Sequence, residues 1–265
     1  MPELTINGSI IHYRAPARNP ENAPVLVCLH GSGADSIVWS AQISRLRRCY
    51  AVIAPDLPGH GRSEGKALRS AEEYAHWLNA FTLALALQRF FLMGHSFGGA
   101  IAQEYARLHP GQVAGLVLIG TGTRFKFSGT YRELFEKNID PEAPEARRLI
   151  PQQFLRAYAF LKNNGSPALH ADLLAAGRFD SRSWIGAVAA PALVMRGAND
   201  FVTPPEMPAE LAAMLPEAEL ATIADAGHVV MLEARDAFND RVSDFFERCR
   251  QAEGQLQAPV PVPDR

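Results

Sequence analysis

The chain predicts an α/β fold: a mostly parallel sheet with helices on both faces, interrupted once by a helical insertion. Short apolar runs recur at Val25 to Leu29, Tyr50 to Ala54, Phe90 to Met93 and Val113 to Ile119. Each is the length of one strand and too continuous for a strand with one wet face. Segments with apolar residues at helical spacing alternate with them, the pattern of strand–helix–strand crossovers. The rhythm then stops between Arg124 and about Ala187, where no buried-strand run occurs, and resumes afterwards.

In order, Leu4 to Ile6 and Ile10 to Tyr13 flank Asn7-Gly8, a two-residue hairpin turn. After the polar loop Pro16 to Pro24 comes the first buried strand, Val25 to Leu29, followed by His30-Gly31-Ser32-Gly33 and a helix from Val38 to Leu46. The strand Tyr50 to Ala54 runs into the glycine- and proline-rich loop Pro55 to Ser63. Ser70-Ala71-Glu72-Glu73 has helix-capping chemistry and starts a helix to about Leu87. The strand from Phe90, its helix Ala100 to Leu108 and the strand Val113 to Ile119 complete the first part.

The interruption divides the chain into a core of residues 1–123 and 188–250, a helical segment of residues 124–187 and a flexible tail of residues 251–265. Tyr131 to Lys137, Pro151 to Leu161 and Pro167 to Ala176 read as helices, two of them led by a proline suited to a first turn. The segment is expected to be a cap over a site, the alternative being additional core helices. Beyond it lie a strand Ala192 to Met195, a helix near Glu206 to Leu215, a strand Leu220 to Ile223 and a last helix from about Ala234 to Cys249. The proline-rich end, Gln255 to Arg265, is expected to be disordered or extended.

Composition excludes several classes of function. The 265 residues, 48% of them hydrophobic, are enough for one sizeable domain. A net charge of −2 makes no electrostatic case for nucleic acid or an anionic membrane. The three cysteines make no disulfide framework, and no His/Cys cluster has metal-ligand spacing. The N-terminus lacks signal-peptide character and no apolar stretch reaches membrane-spanning length. The expectation is a cytoplasmic protein, a monomer or homodimer.

The chemistry centres on Gly94-His95-Ser96-Phe97-Gly98-Gly99, where a buried strand turns sharply into a helix. Such a corner strains its central residue and lifts the side chain clear of the backbone, while glycines two positions away let strand and helix nearly touch. A serine hydroxyl becomes a nucleophile only with a histidine to take its proton and a carboxylate to orient that histidine. Ligands of open α/β sheets bind at the carboxyl ends of the strands. Asp200 follows the strand Ala192 to Met195, and His228 follows the strand Leu220 to Ile223. Ser96, Asp200 and His228 are therefore the catalytic candidates. His30, His60 and His95 sit in motif loops and are expected to hydrogen-bond the backbone. Asp56 is expected to be structural, and Asp225 a turn residue. Backbone N–H groups of Phe97, at a helix start, and Ser32, between two glycines, are the candidate oxyanion donors.

These motifs together resemble the α/β-hydrolase superfamily in its capped branch: His30-Gly31-Ser32-Gly33, the Asp56 to Ser63 loop, the Gly94 to Gly99 elbow, Gly197-Ala198-Asn199-Asp200 and Gly227-His228. The resemblance covers about Ile10 to Cys249. It implies an eight-stranded, mostly parallel sheet with the cap after the sixth strand, Ser96 as nucleophile, His228 as base, Asp200 as acid, and no cofactor. Serine at position 96 is unlike the aspartate of epoxide hydrolases and haloalkane dehalogenases. His95 and Phe97 differ from the Asn and Met usual in C–C bond hydrolases, and Trp39-Ser40-Ala41 stands where those enzymes usually have an asparagine. Perhydrolase-like members often have Phe then Met around the serine. The remaining likeness is to carboxylesterases, enol-lactonases and thioesterases, which implies a small-molecule ester, lactone or thioester as substrate. C–C cleavage of a vinylogous diketone and a ligand-binding protein on a hydrolase scaffold are the alternatives. Phe125, Phe127, Tyr131, Phe154, Tyr158, Phe160 and Trp184 either line an apolar pocket or form the insertion's own core. Arg124 and Lys126 either meet an acidic substrate or face water.

Overall fold

The computed structural model describes residues 2–16, 18, 20, 23–125, 143, 144, 148, 168–200 and 202–256. Eight strands form one sheet in the order β1-β2-β4-β3-β5-β6-β7-β8. They are β1 (Glu3–Ile6), β2 (Ser9–Arg14), β3 (Val25–Leu29), β4 (Ala51–Pro55), β5 (Phe90–His95), β6 (Val113–Ile119), β7 (Ala192–Gly197) and β8 (Ala218–Ile223). β1 and β2 pair antiparallel, as do β2 and β4, and every other neighbour pair is parallel. The hairpin closes through Asn7 and Gly8, both with positive φ (52° and 81°), as a tight two-residue turn requires.

The apolar runs are continuous because alternate residues serve two different cores. Val27 and Leu29 belong to one cluster, Leu26 and Cys28 to the other. Leu92, Leu116 and Val194 likewise part from Met93, Val117 and Leu193. Helices α2 (Ala71–Ala84) and α3 (Phe97–Leu108) cover the first face, through Tyr74, Phe81, Ile101 and Tyr105. Helix α1 (Ser40–Leu46), the single turn α6 (Val230–Glu233) and α7 (Arg235–Leu256) cover the second, with Phe238 and Phe246 fully buried. Between these in sequence lie α4 (Leu169–Arg178) and α5 (Glu206–Met214). Burying one large apolar side chain contributes about 1.5–3 kcal/mol, so both layers are needed to hold the sheet.

Local chemistry accounts for the element ends. Ser70 Oγ accepts the Glu73 N–H at 3.1 Å, and Glu73 reaches back to the Arg69 N–H at 2.9 Å. α2 ends at Ala84, three residues before the expected end, because Ala86 turns into the left-handed region at φ 53°. The expected helix from Val38 begins as a 3-10 turn over Ser36–Trp39, capped by Asp35 at the Ile37 N–H. The last helix runs to Leu256, past its expected end at Cys249. There Glu247 accepts from Arg250 and Gln251, pairs at helical spacing that favour another turn.

The expected helices Tyr131 to Lys137 and Pro151 to Leu161 lie outside the described residues. Of the insertion's aromatics, Phe125 and Trp184 pack partly buried against the first core, Phe179 lying 6.4 and 6.2 Å from their ring centroids. Phe127, Tyr131, Phe154, Tyr158, Phe160 and Lys126 lie outside the described residues. Arg124 bridges Asp180 through its backbone.

Candidate active site

Ser96 caps α3 with φ 53° and ψ −119°, a conformation that costs a non-glycine residue roughly 1–3 kcal/mol. The corner is held from three sides. The Ser96 N–H donates to the Ile119 carbonyl at 2.8 Å, prolonging the β5–β6 ladder. A Cβ on Gly94 would lie 2.2 Å from the Gly98 carbonyl oxygen, and one on Gly98 would lie 2.5 Å from those of Leu29 and His30. Strand, helix and the end of β3 thus meet where no side chain fits. Phe97, the first residue of α3, is fully buried, and its N–H belongs to the helix terminus behind Ser96.

β8 ends three strands from β5, about 14 Å at ordinary strand spacing. The loop that follows it crosses back step by step. At the end of β7, the Asn199 N–H donates to the Ala226 carbonyl at 2.8 Å. Gly197 lies so close beneath the loop that a Cβ there would come 2.2 Å from the Ala226 and Gly227 carbonyl oxygens. At the end of β6 the His228 ring covers Gly120, within 3.0 Å of where a Cβ would stand. At the end of β5, His95 Nε2 donates to the His228 carbonyl at 3.0 Å, with the two rings 4.7 Å apart. His228 is thereby brought beside the elbow.

His228 Nδ1 lies 3.1 and 3.0 Å from the two oxygens of Asp200, which is 4% exposed. Asp200 also accepts the backbone N–H groups of Val202 and Thr203 at 2.8 and 2.9 Å, and the Thr203 hydroxyl. Burial alone would push the Asp200 carboxyl up. The His228 hydrogen bond and charge, together with the Thr203 donors, outweigh it and hold the group at about 2. The carboxylate stays ionised and holds Nδ1–H toward itself, which leaves Nε2 as the basic nitrogen.

Across from His228, Gly31 abuts Ser96: a Cβ there would lie 3.1 Å from Ser96 Cβ and 3.0 Å from His95 Nδ1. His30 Nδ1 donates to the Gly31 carbonyl at 2.9 Å, and its Nε2 accepts the Leu57 N–H at 3.0 Å. A trans peptide sets C=O and N–H opposite each other, so the Ser32 N–H points away from His30. Burial and neighbouring His60 hold His30 down at about 4, and burial with His228 beside it holds His95 at about 3. Both rings are neutral spacers bonded to backbone, as expected. His60 binds the Pro58 carbonyl at 3.0 Å but also a side chain, Asp172, at 2.7 Å. Asp56 ties the loops together, accepting the Ser36 and Arg62 N–H groups at 2.8 and 3.0 Å. Asp225 sits in the turn after β8 at φ 56°.

Three residues that hydrogen-bond into the surroundings of Ser96, Asp200 and His228 are not apparent from the sequence. Glu233 clamps the loop on both sides of His228, accepting the Gly227 N–H at 2.6 Å and the Val229 N–H at 3.1 Å. Thr203 braces Asp200; an acid followed three residues later by a threonine is a spacing that could have revealed it. Asp172 bonds residues 98 to 139 positions away, which no local pattern signals. Among the described residues no group of three or more His, Cys, Asp or Glu could hold a metal, and no helix is long and apolar enough to cross a membrane.

The sequence model of the alpha/beta hydrolase family matches residues 26–241. The chain belongs to the alpha/beta hydrolase family. A pimeloyl-[acyl-carrier protein] methyl ester esterase of Aromatoleum aromaticum is 32% identical to it over 238 residues, 80% of this chain and 93% of that protein. The dihydrolipoyllysine-residue acetyltransferase component of the acetoin cleaving system of Pseudomonas putida is 32% identical over 246 residues. That match takes in 86% of this chain, which spans 65% of the longer relative. Among solved structures, the enol-lactonase of Burkholderia xenovorans LB400 superposes with a TM-score of 0.76 at 25% identity, covering 93% of this chain and 100% of that one. Family membership, with the esterase and the lactonase, makes the chain an enzyme of the hydrolase class.

Proposed function

We propose that the protein is a serine hydrolase that cleaves a small carboxylic ester, lactone or thioester through an acyl-enzyme intermediate. The observation that carries this reading is the His228 ring, held through Nδ1 by a buried, ionised Asp200 beside a serine on a strained elbow. Ser96 Oγ attacks the carbonyl carbon and gives its proton to His228 Nε2. The carbonyl π electrons move onto oxygen, where the Phe97 and Ser32 N–H groups meet the developing charge. His228 passes the proton to the leaving oxygen or sulfur as its bond to the acyl carbon breaks. Water then attacks the acyl-enzyme, delivering one proton to His228, which returns it to Ser96. The ring is cationic twice in each cycle, and Asp200 balances it both times. The esterase and the lactonase among the relatives support acyl–oxygen cleavage in particular, since an ester and a lactone share that bond. Residues 124–187 are proposed to cap the site.

The test is Ser96→Ala. Turnover of p-nitrophenyl acetate and butyrate is expected to fall by at least about 1,000-fold with the melting temperature unchanged. Turnover at the wild-type rate would end the reading.

A further inference from the structure

Beside the oxyanion loop lies a second cluster of buried titratable side chains, which the steps above do not use. His60 and Asp172 are both fully buried, their side chains 2.7 Å apart. His60 Nδ1 faces the Pro58 carbonyl at 3.0 Å, which can only accept, so that nitrogen carries a proton. The short contact from Nε2 to Asp172 Oδ2 then needs a proton of its own. The protein interior tolerates a buried pair of this kind only with further hydrogen bonds. Those are present. Asp172 Oδ1 accepts the Tyr74 hydroxyl at 2.8 Å, and Oδ2 also accepts the backbone N–H of Gly33 at 3.1 Å.

The Gly33 bond gives the cluster its meaning. Asp172 lies in the first turn of α4. That helix packs on Gly33 so tightly that a Cβ there would come 2.8 Å from the Leu169 side chain, and Gly33 has φ +67°. One residue earlier is Ser32. Its peptide is held at the carbonyl end by His30 and at the nucleophile by the Gly31–Ser96 approach. Gly33 is the remaining end, and α4 holds it. We propose that Asp172, supported by His60, is a positioning residue: it fixes the Gly33 peptide against α4 and so keeps the Ser32 N–H aimed where the oxyanion forms. This rests on the serine-hydrolase reading. It adds that reaction-rate control reaches across 139 residues of chain, from α4 to the donor loop.

The test uses the full chain with p-nitrophenyl butyrate as substrate and an alkyl boronic acid as inhibitor. The boronic acid's adduct with Ser96 places an oxygen where the oxyanion would be. Asp172→Ala is expected to lower kcat by about 30- to 100-fold with KM within threefold, and to weaken boronic acid binding by a similar factor. Asp172→Asn keeps an oxygen for the Gly33 N–H and can turn its amide to Tyr74, so its kcat should fall between Asp172→Ala and wild type. A folded Asp172→Ala with kcat within twofold of wild type overturns the proposal, as does a loss of kcat with boronic acid affinity unchanged. If Asp172→Ala does not fold, Asp172→Leu, which removes the same acceptor, is judged by the same two criteria. Ester turnover that survives Ser96→Ala removes the hydrolase reading itself. Turnover that dies with Ser96 while Asp172→Ala keeps wild-type kcat removes only the positioning role.

Discussion

The loop that carries His228 and the loop that carries Ser32 approach Ser96 from opposite sides, and their anchors come from very different distances along the chain. The His228 loop is clamped by Glu233, four and six residues from the N–H groups it accepts, through an exposed carboxylate. The Ser32 loop is held by Asp56, 20 residues from Ser36, and by Asp172, 139 residues from Gly33, both buried. A local clamp forms as soon as its own stretch of chain is in place. A remote one exists only once the whole sheet and its covering helices have assembled. The contrast teaches that the backbone on either side of His228 is clamped by short-range bonds, although its place beside Ser96 still needs the long-range bond from His95, while the loop of Ser32 is anchored through the global fold.

Three substitutions would break or sharpen that contrast. The largest effect is expected for Asp56→Ala, which strips the acceptor from a buried N–H and from a second, partly buried one. Unfolding free energy from urea denaturation should fall by about 2–4 kcal/mol. Next is acid stability. The folded Asp200 carboxyl, at about 2, lies below its ordinary 3.8. Its contribution is therefore fully present above about pH 4 and lost as pH falls toward 2, on the order of 2 kcal/mol in all. Wild type should be the more stable at neutral pH, and its margin over Asp200→Asn should shrink across that window. A margin independent of pH would contradict the ionised, bonded Asp200. The smallest effect is expected for Glu233→Ala, about 1 kcal/mol of stability and a few-fold in kcat, since water can replace an exposed cap. A loss from Glu233→Ala larger than that from Asp56→Ala would reverse the contrast.

What could be read from the sequence follows the same division. The apolar runs at β3, β5, β6 and β7 are visible because strands buried on both faces leave no polar alternation. Ser96 stands out because an elbow needs glycines at fixed offsets. Asp200 and His228 could be placed by one geometric rule, that parallel strands deliver their following loops to the same rim. The crossing of His228 back over β7 and β6 could not be foreseen, since it depends on the clearance above Gly197 and Gly120. Nor could Asp172, whose three partners lie in different elements. The overshoot of α7 past Cys249 is a smaller instance: just beyond the expected end the helix carries Glu247 bonds to Arg250 and Gln251, polar pairs that an apolar periodicity does not register.

Gly197 touches no reactant in the proposed chemistry, yet two carbonyl oxygens lie 2.2 Å from where its first side-chain carbon would stand. In a library of random variants sorted only for turnover, position 197 would tolerate nothing, and its profile would mimic that of the proposed nucleophile, Ser96. Mutational intolerance here reports the headroom beneath a loop, and ranking positions by it alone would promote a spacer to the company of the reacting groups.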